Sequence, residues 1–410
     1  MSRPTPTVQD QADATRGGDA NSRRRRTMTA LFLVVLVNVV GFGIVIPLLP
    51  FYARAFGASS LTVGLLFASY AAAQVIAVPV LGSLADRYGR RPVLLLSLAG
   101  SLVAFLLLAL AQHLAVLFAA RIIDGASGGN LTTARAAVAD ITPEEERAAA
   151  YGTLGAAVAL GTVVGPALGG VLAGASFRIP GYAAALLAGG AIVLVWVWLP
   201  ETRPDDATPR GWPWTDARQL IGKNLAPFLG VDLAYWAAFA AFQTAFPLFI
   251  AERLGYGALG TGLLLGYVGA ISAVVRLRLI GVVSERVGDR KTLAGGLVLA
   301  GVGIGGVAVA QGLALVLLAL TPAAVGIAVA YPALTSLLSR CAGPEVQGQV
   351  QGISGSTEAV GRGIGPLWGN GLLGAAGAGI AYASVAVALL ALGAWSSRLP
   401  RPAPPVPPDA

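Results

Sequence analysis

The chain alternates between long apolar runs and short polar segments. A helix needs about 20 apolar residues to cross the hydrocarbon core of a bilayer, and runs of this length recur along the whole sequence. They predict twelve spans, near residues 28–50, 60–82, 91–111, 114–139, 148–174, 180–199, 225–250, 260–283, 292–311, 313–339, 347–373 and 377–397. The pattern therefore predicts an all-α integral membrane protein.

Three polar segments interrupt this pattern. Residues 1–27 are predicted to be a disordered cytoplasmic tail, because the apolar run after them is too long for a signal peptide and no small-residue cleavage site follows it. Residues 398–410 are rich in proline and are predicted to be a second cytoplasmic tail. Residues 200–224 are predicted to be a cytoplasmic linker between two six-helix bundles, at 28–199 and 225–397.

The two halves of the chain repeat each other. Ile46-Pro47-Leu48 returns 200 positions later as Phe246-Pro247-Leu248. The polar segment GSLADRYGRR at 82–91 returns as GVVSERVGDR at 281–290, and a glycine strip at 152–170 returns at 361–369. Three matches in the same order indicate an internal repeat of six helices, which is typical of membrane transporters with a central site.

Composition and charge agree with a membrane protein. The chain is 56% hydrophobic and 12% charged, whereas soluble domains carry about 25% charged residues, and its mean hydropathy is +0.73. The net charge of +8 does not predict nucleic-acid binding, because the basic residues lie in loops between apolar runs. If the N-terminus is cytoplasmic, the loops on the outer side contain only Arg54, Arg178 and Arg253, and most other basic residues lie on the cytoplasmic side. The positive-inside rule therefore predicts both termini in the cytoplasm. We expect a multi-pass protein of the inner (plasma) membrane that functions as a monomer in the lipid bilayer.

Small residues form a strip on the fifth apolar run. Gly161, Gly165 and Gly169 recur every four residues, so they form one helix face against which another helix can pack closely. Pro166 has no N–H to donate, which bends or loosens the helix at that point. A closely packed, bent helix that is repeated in the second half indicates a membrane protein that moves.

The polar segment after the second run carries an acid and arginines between glycines. A simple basic anchor would explain its arginines, but would leave the spacing of the acid and the glycines unexplained. The segment resembles the loop between helices 2 and 3 of the major facilitator superfamily, and the residues that carry the match are Gly82, Asp86, Arg87, Gly89, Arg90 and Arg91. The resemblance implies the fold of that superfamily, with twelve transmembrane helices in two pseudo-symmetric six-helix bundles.

In the superfamily, this loop is thought to latch the two halves together. The resemblance implies that Asp86 lies at the end of the eleventh helix and that Arg90 pairs with Asp140. In the second copy Glu285 keeps the acid, whereas Asp289 replaces a basic residue. We therefore expect the second latch to be weaker.

The glycine strip carries a second resemblance. Six residues match the helix 5 motif of the drug:proton antiporter branch of the superfamily in full: Gly152, Gly161, Gly165, Pro166, Gly169 and Gly170. The motif occurs in exporters and is generally missing from uptake members, so the resemblance implies export. The segments DGASGG, VADITPEEERA, GPALGG and LPET make the first half similar to the twelve-helix branch that includes tetracycline efflux proteins.

The fourth run contains charges at membrane depth, where they normally pair or face a cavity. Arg121, Asp124, Gly128 and Arg135 are predicted near one helix face. Arg121 and Asp124 are either a neutral structural pair or a proton site whose affinity Arg121 tunes. Arg121 followed by Gly125 resembles the helix 4 motif of proton-coupled members.

The seventh run carries an acid and an aromatic stripe at helical spacing. Its members are Asp232, Tyr235, Trp236, Phe239, Phe242, Phe246 and Phe249. The stripe is either packing and lipid contact or the wall of a pocket for an aromatic or cationic compound.

Other polar residues are predicted near the midplane of the membrane. Glu358 and Arg362 lie one turn apart in the eleventh run, as a structural ion pair or a second protonatable site. Asn38, Gln74 and Gln243 are candidates for hydrogen bonds in the pocket.

No enzyme, cofactor or metal site is predicted. The one histidine lies at a helix end, and no glycine-rich stretch ends in Gly-Lys-Ser/Thr. The sequence predicts a secondary transporter that exports a small amphipathic, drug-like compound in exchange for protons. A proton bound to a buried carboxylate would shift the equilibrium between the inward-open and outward-open states. The first candidate for this carboxylate is Asp124, and the next are Glu358 and Asp232. The alternatives are a proton-coupled or passive importer of a sugar or other metabolite, and a non-transporting receptor or assembly factor.

Overall fold

The computed structural model describes residues 8–143, 146–203, 225–341 and 347–400, and its secondary structure in these residues is helical. The helices are, in chain order, α1 (Val8–Ala55), α2 (Ser60–Tyr88), α3 (Arg90–Leu110), α4 (Leu114–Ala126), α5 (Asn130–Ile141), α6 (Arg147–Ala173), α7 (Ile179–Trp198), α8 (Ala226–Leu254), α9 (Ala258–Arg278), α10 (Ile280–Val287), α11 (Asp289–Val309), α12 (Leu313–Arg340), α13 (Gln347–Ala376) and α14 (Ala378–Ser396). Ten of the predicted spans thus each fall on one helix, whereas the fourth falls on α4 and α5 and the eighth, 260–283, on α9 and α10.

Ten of these helices are long and apolar enough to cross a membrane by themselves. The other two predicted spans are the fourth and the eleventh. The eleventh span, α13, is 30 residues long but contains Glu358 and Arg362, which lower its hydropathy. The fourth span is divided into α4 and α5, which have 13 and 12 residues.

The division of the fourth span differs from the continuous helix that the sequence predicts. The hydroxyl of Ser127 donates to the carbonyl four residues earlier at 2.8 Å, and two glycines follow. A Cβ atom at Gly129 would lie 2.8 Å from the side chain of Leu81, so α2 crosses closely at this point. Glycine weakens the helix and permits this crossing. Asp124 and Arg135 therefore belong to different helices, and the single face predicted for them does not form.

The first helix starts earlier than predicted. The sequence predicts disorder up to residue 27, whereas α1 begins at Val8. Extending an existing helix avoids the cost of nucleation, so the helix continues into a polar sequence and the disorder prediction does not hold for this part. The remainder of the linker, 204–224, and the end of the proline-rich tail, 401–410, lie outside the described residues.

The predicted repeat is also a structural repeat. A Cβ atom at Gly161 of α6 would lie 3.2 Å from the backbone nitrogen of Val40 in α1. The equivalent atom at Gly361 of α13 would lie 3.0 Å from the backbone nitrogen of Ala237 in α8. Each half therefore packs its glycine strip on its own first helix.

The two halves meet through the prolines of these strips. A Cβ atom at Gly262 of α9 would lie 2.5 Å from the carbonyl oxygen of Pro166 in α6. In the symmetric position, a Cβ atom at Gly64 of α2 would lie 2.6 Å from the carbonyl oxygen of Pro366 in α13. Helices of opposite halves thus approach to backbone contact at two equivalent places.

These contacts lie at one end of the molecule, which we call the closed end. It contains Ser60 and Gly374, and a Cβ atom at Gly374 would lie 3.2 Å from the Cβ atom of Ser60. The opposite end, which contains Gly89 and Glu201, is called the open end. Toward the open end, six glycines of α2, α6, α10 and α13 have no described atom within 4 Å of the place that a Cβ atom would take: Gly82, Gly152, Gly155, Gly281, Gly352 and Gly355. The glycine contacts between the halves reach only to Ala71 of α2, Thr162 of α6 and Gly269 of α9, so the halves meet toward the closed end and a cleft separates them toward the open end.

Candidate functional site

An ion pair is buried where α4 meets α2. Arg121 Nη1 donates to Asp124 Oδ2 at 2.7 Å, and the two residues are 2% and 6% exposed. The guanidinium group of Arg121 also lies 4.2 Å from the ring centroid of Tyr70. The spacing of three residues places the pair on one helix face. Asp124 therefore has a counter-charge in this structure, which compensates its burial.

A second ion pair lies on α13. Arg362 donates to Glu358 one turn earlier, and the hydroxyl of Tyr331 in α12 donates to the other carboxylate oxygen at 3.2 Å. The guanidinium group of Arg362 lies 4.2 Å from the ring centroid of Trp236. The two halves thus contain ion pairs of the same construction, in which an arginine is paired with an acid and stacked over an aromatic ring.

Asp232 of α8 differs from both of these acids. It is fully buried, and the hydroxyl of Ser354 donates to its Oδ2 at 2.8 Å. Its Oδ1 has no hydrogen-bond partner among the described residues, and no arginine there forms an ion pair with it. A buried carboxylate without a counter-charge is costly. Asp232 therefore differs from Asp124 and Glu358 in having no ion-pair partner among the described residues.

The aromatic stripe of α8 divides into two groups. Tyr235 stacks on Phe239 and on Tyr331, with ring centroids 6.2 and 5.9 Å apart. Trp236 stands edge-on to Tyr331 at 5.1 Å. We call Tyr235, Trp236, Phe239 and Tyr331 the aromatic cluster. It lies beside the ion pair of α13 and forms an aromatic wall in the second half.

The other group of the stripe packs inside the second half. The rings of Phe242 and Phe249 contact Tyr382 of α14, with centroids 5.8 and 4.3 Å apart. Phe242 and Phe246 are also in ring contact, and all three phenylalanines are almost completely buried. Phe242 therefore packs inside the second half in this structure, and its role in a substrate pocket stays a prediction.

The polar candidates for the pocket are half-buried. The side-chain amide of Gln74 donates to the hydroxyl of Tyr70 at 3.2 Å, which connects it to the ion pair of α4. Asn38 and Gln243 make no side-chain hydrogen bond to a described residue. They stay predictions for substrate contacts.

The loop between α2 and α3 turns at Gly89. Its φ is +106°, a region that favours glycine, and a Cβ atom there would lie 2.7 Å from the carboxyl carbon of Glu201. The Glu201 carboxylate accepts hydrogen bonds from the backbone N–H groups of Arg90 and Arg91, at 2.7 and 3.1 Å. It thus caps the N-terminus of α3, where free N–H groups favour a negative charge.

Replacing this cap should lower stability moderately. We expect Glu201→Ala to reduce the free energy of unfolding by about 1 kcal/mol, since it removes an N-terminal cap. Glu146→Ala is the matched control, because the side chain of Glu146 is 60% exposed and its ion pair within the described part of the chain is with Arg24, and exposed pairs contribute little. Thermal unfolding of the purified proteins measures the difference, and equal midpoints would contradict the capping role.

Arg90 connects three helices of the first half. Its Nε donates to Asp140 Oδ2 of α5 at 2.9 Å, which is the pairing that the resemblance implies. It also donates to Asp86 in the last turn of α2. Asp86 makes no hydrogen bond or ion pair with α13 among the described residues.

The remaining residues of the loop segment have separate partners. Arg91 donates to the carbonyl of Trp196 at 2.7 Å, and its guanidinium group lies over the ring of that residue. The carbonyl of Arg87 accepts a hydrogen bond from Arg203 at 2.7 Å. Gly82 lies in open space. The segment is thus tied to the last turn of α7 and to the residues that follow this helix.

The second copy of the loop has the same geometry with the charges exchanged. Gly288, 199 positions after Gly89, also has a positive φ, +83°. Asp289 stands where the first half has Arg90, and it forms an ion pair with Arg340 at 3.1 Å. Arg340 is 200 positions after Asp140, so the pair is retained with reversed polarity. Arg340 thus gives Asp289 an opposite charge, and the weaker second latch stays a prediction.

Several residues of the site could not be identified by motif or spacing. Tyr331 and Tyr70 are single tyrosines in apolar runs, and only tertiary contacts place them beside charged groups. Glu201 lies in the LPET segment, which gives no sign of its contact with α3. Arg340 could have been found, because the repeat offset aligns it with Asp140.

No group of three or more potential metal ligands occurs among the residues that the structure describes. Cys341 is half-buried, and burial raises the pKa of its thiol. A raised pKa lowers thiolate content and reactivity, so nothing points to redox chemistry at Cys341.

Comparison with known proteins defines the family. The sequence model for the Major Facilitator Superfamily matches residues 31–366 and 278–410. The chain is 34% identical over 362 residues to the tetracycline resistance protein, class G, of Vibrio anguillarum, covering 84% of this chain and 89% of that protein. It is 32% identical to the class E protein of Escherichia coli, covering 83% and 86%.

A solved structure has the same fold. It is a bacterial homologue of the human lysosomal transporter Spinster, with a TM-score of 0.77 and 18% identity over 92% of this chain and 97% of that one. The sequence matches agree with the helical spans, the repeat of two halves and the loop geometry described above. The chain therefore belongs to the major facilitator superfamily of membrane transporters.

Proposed function

We propose that the protein exports a small amphipathic, drug-like compound in exchange for protons. The observation that carries this proposal is the similarity, over 84% of the chain, to a protein named for tetracycline resistance. The complete glycine strip on α6 supports export over uptake, since this motif is typical of exporters. Transport of a small molecule across a bilayer needs no catalytic residue, and we propose no enzymatic activity.

The cleft supports transport by alternating access. We propose that both termini and the basic loops of the open end are cytoplasmic, because arginines concentrate there. The structure then represents the inward-open state of a monomer in the inner membrane. In the opposite state, the open end would close and Asp86 would come to lie at the end of α13.

Three acids are candidates for the proton, and their surroundings rank them. Asp124 and Glu358 are paired with arginines, so each has a counter-charge without a proton. Asp232 has only the hydroxyl of Ser354. This geometry supports Asp232 as the first proton carrier, whereas the sequence ranks Asp124 first. Protonation of Asp232 removes a buried charge and thereby changes the relative stability of the two open states.

Vesicle transport tests the proposed direction. In inside-out membrane vesicles, an exporter should accumulate radiolabelled tetracycline when the vesicle interior is acidified. A proton-coupled importer would move its substrate the other way, and a receptor or assembly factor would show no flux. Absence of pH-driven accumulation for tetracycline and for a panel of other amphipathic drugs would contradict the proposal.

Asp232→Asn should uncouple transport from protons. The amide keeps the size of the side chain but cannot titrate, so pH-driven accumulation should fall about tenfold or more, a barrier change above about 1.4 kcal/mol. Exchange of labelled for unlabelled drug without a gradient should continue. Ser354→Ala is the matched control, because it removes the hydrogen bond and keeps the carboxyl group. Full pH-driven transport by Asp232→Asn would show that another acid carries the proton.

A further inference from the structure

The exposed tryptophans of the described chain lie at the ends of two equivalent helices. Trp196 and Trp198 are exposed in the last turn of α7, and Trp395 is exposed in the last turn of α14. The repeat offset of 199 residues aligns Trp395 with Trp196. Tryptophan is enriched where a membrane span meets the lipid headgroups. Both helix ends therefore lie at the membrane surface of the open end.

The side of α7 that carries Trp196 faces the lipid. Leu186, Val193 and Val197 are exposed and recur at helical spacing, so they form one apolar face on a helix that is long enough to cross the membrane. Trp196 follows Val193 by three residues and lies at the end of this face. An acyl chain that runs along the face therefore brings its headgroup to Trp196.

Arg91 of α3 places a positive charge over this tryptophan. The Cζ atom of its guanidinium group lies 5.5 Å from the ring centroid of Trp196, and its Nη2 donates to the carbonyl oxygen of Trp196 at 2.7 Å. The Nε of Arg91 has no hydrogen-bond partner in the described part of the chain. The two contacts hold the guanidinium group at the end of α7 and leave donors for another group.

The acid in contact with this segment does not neutralise Arg91. Oε2 of Glu201 accepts the backbone N–H of Arg91 at 3.1 Å. Oε1 accepts the backbone N–H groups of Arg90, Thr202 and Arg203. The side chain of Arg91 donates to a carbonyl oxygen instead, and it forms no ion pair with a described acid. Its charge therefore stays available at the membrane surface.

We propose that Arg91 and Trp196 bind the headgroup of an anionic phospholipid, with its phosphate at the guanidinium group and an acyl chain along the exposed face of α7. A planar guanidinium group matches the geometry of a phosphate, and basic sites at the ends of membrane spans attract anionic lipids. A zwitterionic choline lipid fits less well, because the guanidinium group already covers one face of the ring that would bind its cation. This inference goes beyond the proposed transport function and does not depend on it.

The second half of the protein offers an internal comparison. Arg290, 199 positions after Arg91, donates to the carbonyl oxygen of Ser397 just after α14. In the described part of the chain, however, the guanidinium group of Arg290 stacks on no aromatic ring. The positions of the arginine and of Trp395 are thus retained without the stacked arrangement. We therefore expect Arg290→Gln to weaken lipid binding less than Arg91→Gln.

Two lipids with the same acyl chains test the site. The probes are dioleoylphosphatidylglycerol, which is anionic, and dioleoylphosphatidylcholine, which is zwitterionic. Native mass spectrometry of the purified, delipidated full-length protein measures the affinity of the first lipid that binds. We expect the wild-type protein to prefer phosphatidylglycerol by about tenfold or more, because a hydrogen bond to a charged group contributes at least this factor. Arg91→Gln should remove this preference, and Trp196→Leu should reduce it.

Matched variants separate this site from the overall charge of the protein. Arg91→Lys keeps the charge and should retain part of the preference. Arg278→Gln removes an exposed arginine at the same end of the molecule and should retain all of it. Equal binding of both lipids by the wild-type protein would refute the site, and so would an equal loss of preference in Arg278→Gln and Arg91→Gln.

Inorganic phosphate distinguishes a lipid from a soluble ligand. Because the proposed site also holds an acyl chain, 10-fold more phosphate than lipid should leave phosphatidylglycerol bound. Displacement of the lipid by phosphate at this ratio would show that the site recognises a soluble anion and would overturn the proposal. Lipid binding is measured without a substrate or a pH gradient, so a negative result leaves the proposed export function standing.

Discussion

Gly169→Val is expected to abolish transport, whereas Gly152→Val should leave it nearly unchanged. Both glycines belong to the same six-residue motif on α6. A Cβ atom at Gly169 would lie 2.7 Å from the Cα atom of Ile44 and still closer to its carbonyl oxygen. No described atom lies within 4 Å of the Cβ position at Gly152. The two substitutions are chemically identical, so a difference between them reports the local packing.

The physical reason for the first effect is the backbone contact between α6 and α1. Side-chain neighbours can change rotamer, but backbone atoms move only if the whole helix moves. Overpacking a tight core costs about 1 to 3 kcal/mol when the neighbours can adjust, and we expect more at Gly169 because they cannot. The effect should appear as loss of folded protein as well as loss of transport.

A third substitution separates folding from movement. Gly170 faces the other half: a Cβ atom there would lie 2.8 Å from the carbonyl oxygen of Ala258 and 2.9 Å from Gly262. Gly170→Val should therefore push the two halves apart at the closed end while each half remains folded. Spin labels at the closed end should report a longer distance between α6 and α9, with transport reduced.

The measurements are thermal stability in detergent, drug accumulation in inside-out vesicles and the spin-label distance. If Gly152→Val were as harmful as Gly169→Val, the strip would matter for a reason other than this contact. An unchanged closed-end distance in Gly170→Val would show that the contact between α6 and α9 does not hold that end closed.

Arg90→Asp is expected to inactivate the protein, and adding Asp140→Arg should restore most of the loss. The side chains of Arg90 and Asp140 are 7% and 14% exposed. Reversing the charge at position 90 places a carboxylate beside those of Asp86 and Asp140 in a partly buried site, and disrupting a buried pair costs about 3 to 5 kcal/mol. Reversing both charges restores the attraction.

The second half of the protein supports this rescue. There the equivalent pair is already Asp289 with Arg340, at 3.1 Å, so the helix arrangement accepts the reversed polarity. Recovery should be incomplete, because Asp86 also depends on Arg90 and would face an aspartate. The matched control is the reversal in the second half, Asp289→Arg with Arg340→Asp, which we expect to be tolerated.

Thermal unfolding and drug accumulation measure both pairs. A double variant no better than Arg90→Asp alone would mean that the guanidinium group of Arg90 has a role that a carboxylate at the same position cannot fill. Recovery of stability without recovery of transport would separate the structural role of the pair from its proposed role in the latch.

Local pairs of the site were predictable because helical spacing alone brings them together. Arg121 with Asp124, and Glu358 with Arg362, lie three and four residues apart, and any regular helix places such residues side by side. The pair of Arg90 with Asp140 followed from the resemblance to a family.

Contacts between distant helices could not be predicted in this way. The aromatic stripe of α8 has one periodicity, yet Tyr235 faces α12 and Phe242 faces α14. Helical spacing gives the relative direction of side chains and leaves the rotation of the helix against its neighbours open. Tyr331 likewise could not be assigned to the site from the sequence, because only the packing of α12 on α8 brings its ring to Tyr235.

The sequence by itself determined the twelve spans, the two repeated halves and the helix faces that can pack closely, because hydropathy and glycine spacing act along one helix. The tertiary structure decided which end of the cleft is open, which aromatic rings line it, and that Asp289 is balanced by Arg340. One sequence must serve both open states of a transporter, so the state observed depends on contacts between the halves, and these exist only once the helices have packed.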